Sequence, residues 1–325
     1  MTRFFLALTV GVLTALPLTA DTGKAVTEHI LPRYADFAKQ ARALADVASK
    51  DCAVTEMLPA YTAAYDAWIA VSHIQFGPVE SRGSAPALSY WPDPKNRTGK
   101  AIARLMAEDT SALTDPEEFK EVSIAAQGFP ALERLLTEDH PDQGAACDLR
   151  RAIATFIGQT AGDLNGDWQS GYGAGFAQAE VPSYQTPEET RRALYTALST
   201  SLAYLHDQRL GRPLGSFDKP YPTRAEARRS GRSLRHILLN LGALQDLTQV
   251  AFADVTTPAL SSSFQEAIAR AEALGDPSLA GVADPAKRFK IEVLQRAVRD
   301  VQELVAKQIA GALGIAAGFN ALDGD

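Results

Sequence analysis

Asp284-Pro285-Ala286-Lys287-Arg288-Phe289-Lys290-Ile291-Glu292-Val293-Leu294, running on to Ile309, decides the fold class. An aspartate can cap a helix, and proline suits the first helical position, where a missing N–H costs nothing. Ile291, Leu294, Val298, Val301, Leu304, Val305 and Ile309 then recur at steps of three and four, the period of a helix with one buried face.

The same device recurs upstream. Thr186-Pro187-Glu188-Glu189 places Glu189 for a capping box, and Asp115-Pro116-Glu117-Glu118 and Thr257-Pro258 have the same layout. Thr223-Arg224-Ala225-Glu226 reads as a capping box without the proline. Leu58, Tyr61, Tyr65, Trp68, Ile69 and Ser72 form one stripe, and Leu234, Ile237, Leu238, Leu241, Leu244 and Leu247 another. Helices are predicted near 24–49, 54–76, 98–108, 116–137, 144–165, 187–209, 224–250, 258–274 and 285–313, with almost no alternating strand pattern. The fold class is all-α, made of long antiparallel helices.

Between these helices lie three irregular stretches. Residues 77–97 hold Pro78, Pro86, Pro92 and Pro94, and residues 211–223 form a second long loop. Gly166 to Gln185, with Gly171, Gly173 and Gly175, is the expected junction between a first unit, 21–166, and a second, 186–315. Gln75-Phe76-Gly77 and Arg209-Leu210-Gly211 end the helices before the two long loops, which hints at a duplicated unit.

Residues 1–20 read as a secretory leader: Arg3, an apolar run from Phe4 to Leu18, and a small-residue cleavage point at Thr19-Ala20. The run is shorter than the ~20 apolar residues of a membrane span, and no later segment is long and apolar enough to cross a bilayer. The expected location is the periplasm, in soluble form after cleavage. Of 325 residues, 32 are basic and 39 acidic; the net charge of -7 argues against a nucleic-acid partner. In an oxidising compartment Cys52 and Cys147 suggest a disulfide, two buried free thiols being the alternative.

The most informative candidate site is Gly128-Phe129-Pro130-Ala131-Leu132-Glu133. Proline inside a helix removes one backbone bond and clashes with the carbonyl four residues back, so the helix should kink or break at Gly128. That would free carbonyls near Ala125 and Ala126, with the Glu133 carboxylate one turn on; a plain kink with Glu133 paired to Arg134 is the alternative. Arg224, Arg228, Arg232 and Arg235 are spaced to share one helix face, with Arg229, Ser230, Ser233 and His236 beside them. They form either a basic wall that meets an anion or Glu133, or a solvated face paired with surface acids. Tyr61, Tyr65 and Trp68 read as core, and Trp91, in the proline-rich loop, as a ligand contact. His29, His73, His140, His206 and His236 are scattered; His73 and His206 sit at helix ends, where they complement the dipole. Asp66 and Glu80 are carboxylates that could join His73.

Gly128 to Glu133, followed by Arg134-Leu135-Leu136, resembles the imelysin motif, written Gly-x-His-x-x-Glu and followed by an apolar pair. Trp68 with His73-Ile74-Gln75-Phe76-Gly77-Pro78, and Tyr90-Trp91-Pro92-Asp93, resemble the first-half signatures of periplasmic imelysin-like proteins. Asp207-Gln208-Arg209-Leu210-Gly211-Arg212-Pro213-Leu214-Gly215 and Arg229-Ser230-Gly231-Arg232-Ser233-Leu234 resemble their second half. The resemblance runs from about residue 25 to 310 and implies two antiparallel helical bundles with the motif at the cleft between them.

Pro130 stands where the motif has histidine. An imidazole and a carboxylate three residues apart could chelate a divalent ion; Glu133 alone cannot hold zinc, which argues against a hydrolytic site. Three functions follow from the resemblance. One is a non-enzymatic periplasmic binding or accessory protein linked to iron or metal uptake, with transport components of the periplasm or membrane as partners. The others are an imelysin-type metallopeptidase and an interaction protein without a small ligand. The expected ligand contacts are Gly128, Pro130, Glu133, Trp91, Arg229, Ser230, Arg232 and Ser233. Glu133 and His73 are the candidate ligands for iron or another divalent cation.

Overall fold

The computed structural model describes residues 19–108 and 111–315; the expected leader lies outside them but for Thr19 and Ala20. The chain is all-α. Among the described residues there is no strand, only the isolated bridges Val181–Tyr184 and Ser216–Lys219.

Helix α1 (Thr19–Lys24) passes through a wide π-turn at Ala25–Ile30 into α2 (Leu31–Lys50). Tyr34, Phe37, Ala41, Leu44 and Ala48 line its buried face at helical spacing. Each large apolar side chain so buried contributes about 1.5–3 kcal/mol. Helix α2 packs against α3 (Val54–Val71) and α9 (Gly144–Asp167). In the second half, α11 (Pro187–Tyr204) contacts α13 (Ser233–Ala251) and α15 (Pro285–Val305), and α14 (Pro258–Glu272) packs on α13 and α15. Helix α3 also packs against α13, joining the two halves, and one apolar cluster runs from Ala25 to Ile309.

The expected caps at four helix starts form. Asp115, Thr186, Thr257 and Asp284 each accept backbone N–H bonds from the first turn, and Thr186 and Glu189 complete a capping box. Cys52 and Cys147 are bonded, closing a separation of 95 residues.

Four expectations fail. The helix expected over 116–137 breaks at Gly128, as Pro130 implied, but also at 120–123, which leaves α7 (Pro116–Phe119), a 3₁₀ turn at Ile124–Ala126 and α8 (Phe129–Thr137). The helix expected from 224 begins only at Ser233. The expected loop at 77–97 holds two short helices, α4 (Pro78–Ser81) and α5 (Ser84–Leu88), before α6 (Arg97–Ala107). The glycine-rich stretch after Gly166 stays helical: α9 continues through a π-turn at Trp168–Tyr172, kinked at Gly171, into α10 (Gly173–Gln178). Gly173 is what that packing needs, because a Cβ there would lie 2.8 Å from the Trp168 carbonyl oxygen.

Candidate functional site

The break at Gly128 builds the first part of the site. Gly128 caps α8, and Pro130 falls in its first turn, where no N–H is required. Only glycine fits at the cap: a Cβ on residue 128 would stand 2.2 Å from the carbonyl oxygens of Ala87 and Leu88 in α5. Buried Gln127 turns its Nε2 onto the carbonyls of Phe119 (3.2 Å), Lys120 (2.8 Å) and Val122 (3.0 Å) and so staples the broken segment. At the far end of α8, fully buried Arg150 donates to the Leu135 carbonyl through Nε (3.0 Å) and Nη2 (2.7 Å), and to the Cys52 carbonyl (3.1 Å).

Glu133 is thereby held inside the molecule, only 4% exposed. Its Oε1 accepts from the Ser230 backbone N–H (2.9 Å) and hydroxyl (2.8 Å). Ser230 is thus a true neighbour of the motif. The arginines are not. Residues 225–232 form turns, so Arg224, Arg228, Arg232 and Arg235 share no helix face. Arg229 pairs with Glu138 (2.7 Å), while Arg232 and Arg235 both reach Asp66, which is therefore not a partner of His73. Ser233 donates to the Glu226 carbonyl (2.5 Å).

Glu226, expected as the last residue of a capping box, is instead pulled into the interior, 3% exposed. Arg209 Nε donates to its Oε2 at 2.7 Å, and His236 Nδ1 approaches the same oxygen at 3.3 Å. Burial alone would raise this carboxyl; the Arg209 charge and the His236 hydrogen bond outweigh it and bring it down to about 2. Arg209 comes from a third π-turn, Leu205–Leu210, that prolongs α11, and its guanidinium lies 5.2 Å from the Tyr204 ring centroid.

A cavity of about 960 Å³ opens beside this pair, lined from both halves of the chain. Phe76 meets Tyr184 edge-on with centroids 5.9 Å apart, and Trp91 meets Tyr204 likewise at 5.9 Å. Glu226 and Arg209 reach its wall, with Glu80 and Arg192 among the exposed lining residues. Trp91 thus lies where a ligand contact was expected. A smaller cavity of about 250 Å³ holds Pro130, Glu133 and Arg229 and shares Trp91 and Glu226 with the larger one.

His73 also lines the large cavity, whereas Glu133 lines the small one, so the two candidate metal ligands do not share a site. Among the described residues no three His, Cys, Asp or Glu side chains converge as a metal cluster. With Pro130 in place of an imidazole and Glu133 Oε1 already accepting twice, these residues do not fit a resident metal ion.

No local signal marks the group attached to His73. His29, carried on the π-turn that starts α2, sits between Asp246 of α13 and His73: Nδ1 lies 2.6 Å from Asp246 Oδ2, and Nε2 lies 2.7 Å from His73 Nε2. Arg33 completes the cluster at 3.0 Å from Asp246. Residues so far apart in the chain carry no spacing signal; a π-turn, which often marks a functional position, was the one feature to look for.

The imelysin family model matches residues 30–305. No curated protein sequence matches the chain. An imelysin-like protein from Psychrobacter arcticum has the same fold, with a TM-score of 0.73 and 21% identity over 97% of this chain and all (100%) of that one. A candidate iron-regulated protein A precursor from Parabacteroides distasonis is similar with a TM-score of 0.71 and 16% identity, covering 90% of this chain and 95% of its own. At those identities the two structures speak for the fold alone, while the family match spans most of the chain. The chain belongs to the imelysin family.

Proposed function

We propose that the chain is an exported, non-enzymatic binding protein of the periplasm that serves iron or metal uptake by holding a small organic ligand. The ligand would lie between two helical bundles, residues 21–166 and 186–315. The carrying observation is the cavity of about 960 Å³, which is of drug-ligand size and walled by aromatic rings, with Glu80, Glu189, Arg192, Arg209 and Glu226 as its charged members. Such a wall favours an organic molecule over a bare ion, so iron would arrive as cargo in an organic complex. The link to iron comes from the iron-regulated protein A precursor of Parabacteroides distasonis, whose fold this chain shares. The small neighbouring cavity, with Pro130 where the motif has histidine, supports a binding role over hydrolysis. Transport components of the periplasm or membrane would be the partners that receive the cargo.

The test is thermal unfolding of the chain without its first twenty residues, with ferric ion alone and with ferric complexes of small organic chelators. A ligand present at 100 times its Kd adds about 2.7 kcal/mol of stability. The expected result is a rise in melting temperature with an organic complex and none with bare iron, abolished by Trp91→Ala. Stoichiometric zinc after purification, together with chelator-sensitive cleavage of an unfolded protein, would overturn it.

A further inference from the structure

The chain Asp246–His29–His73 does more than fill the core. His29 and His73 are fully or almost fully buried, and their Nε2 atoms meet at 2.7 Å. One of the two must donate and the other accept. Asp246, held by Arg33, is an anion that can only accept, so His29 donates to it from Nδ1. A neutral His29 then has a bare Nε2, which accepts from His73 Nε2–H. That leaves His73 Nδ1 as the bare end of the relay. This atom is buried and has no partner among the described residues, and its ring lines the large cavity. Trp68, which lines the same cavity, has an unpaired Nε1–H.

Both imidazoles are held below the ordinary histidine range in this arrangement. Burial lowers His29, with Arg33 adding to it and Asp246 opposing; burial, His29 and Arg33 all lower His73. An unpaired buried acceptor is costly to leave unmade. Among the aromatic rings of this wall, a ligand that supplies the missing donor gains a bond that a methylated analogue cannot make.

We propose that His73 Nδ1, fixed as an acceptor by Asp246 through His29, receives a hydrogen bond from an O–H or N–H of an aromatic ligand in the large cavity. The inference deepens the binding reading and rests on it for the cavity's use: the class selected is a hydroxyl- or N–H-bearing aromatic molecule, with Trp68 Nε1–H available to an acceptor on the same ligand. His73 and Trp68 then set specificity, while the rings supply contact area.

Imidazole ¹⁵N spectra of the full mature chain test this directly, with catechol and its dimethyl ether, 1,2-dimethoxybenzene, as probes. His29 should carry its proton on Nδ1 and His73 on Nε2. Catechol should move the bare His73 Nδ1 resonance, and 1,2-dimethoxybenzene should not. Tryptophan fluorescence should show catechol bound about tenfold more tightly than the ether, a preference falling to about twofold or less in His73→Phe. Should His73→Phe fail to fold, the spectra of the unaltered protein still decide. A proton on His73 Nδ1, an unmoved His73 signal at saturating probe, or equal affinity for both probes would overturn the inference. A melting-temperature rise with an iron complex alongside an unmoved His73 would remove only this inference; a catechol-moved His73 with no response to any iron complex would remove only the iron link.

Discussion

Replacing Glu226 by glutamine isolates the charge of the buried Arg209–Glu226 pair. The carboxyl sits at about 2 in the folded chain against an ordinary value of 4.5. At 1.36 kcal/mol per unit, that difference makes the ionised form worth about 3 kcal/mol to folding at neutral pH. Breaking a buried pair by removing one partner costs about 3–5 kcal/mol, which agrees. A carboxyl depressed in the folded state contributes stability that is complete above its unfolded value and is lost as pH falls toward the folded one. The window is therefore between pH 4.5 and about 2. Urea unfolding of the wild type and Glu226→Gln should differ by about 3 kcal/mol at pH 7, with less than half of the gap left at pH 3. Equal urea midpoints at pH 7, or a gap that persists unchanged at pH 3, would refute the account of the pair as a buried ion pair.

Gly128→Ala should cost more than about 3 kcal/mol in thermal unfolding, because two backbone carbonyls of α5 block the new methyl group; wild-type stability would show that α5 moves freely. Glu133→Ala leaves the Ser230 hydroxyl and N–H without their acceptor and should cost about 1–3 kcal/mol, with Ser230→Ala costing less because its backbone bond survives; urea midpoints measure both. Reducing the Cys52–Cys147 bond should lower stability by about 4–5 kcal/mol from the loop it closes, read by unfolding with and without reductant. Trp91→Ala should leave the melting temperature of the free protein within a few degrees, since the ring is only half-buried, and should abolish ligand-induced stabilisation.

Helix starts were legible because their signals are local. A capping side chain and a first-turn proline act within four residues, so Asp115, Thr186, Thr257 and Asp284 behave as their neighbours dictate. Thr223-Arg224-Ala225-Glu226 has the same lettering and fails, because Arg209 and His236 offer the Glu226 carboxylate a stronger partner than a helix terminus does. The arginine row dissolved for the same reason: Arg228 turns back to the Thr223 carbonyl, while Asp66 draws Arg232 and Arg235. Pro130 was read correctly as a break, whereas the turn of the Gln127 side chain onto the carbonyls of Phe119, Lys120 and Val122 has no local signal. The His29–His73 contact was beyond reach, for nothing in either neighbourhood names the other.

The turn from Ala225 to Arg232 is short, yet it holds three elements: the α11 extension through Glu226, α8 through Arg229 and Ser230, and α3 through Arg232. Widening the large cavity by drawing α8 and α3 away from the second half would rupture the links of Arg229, Ser230 and Arg232 together. The turn therefore works as a buckle rather than a hinge, and a ligand of the proposed kind would enter past exposed lining side chains such as Arg192 instead of by parting the two halves.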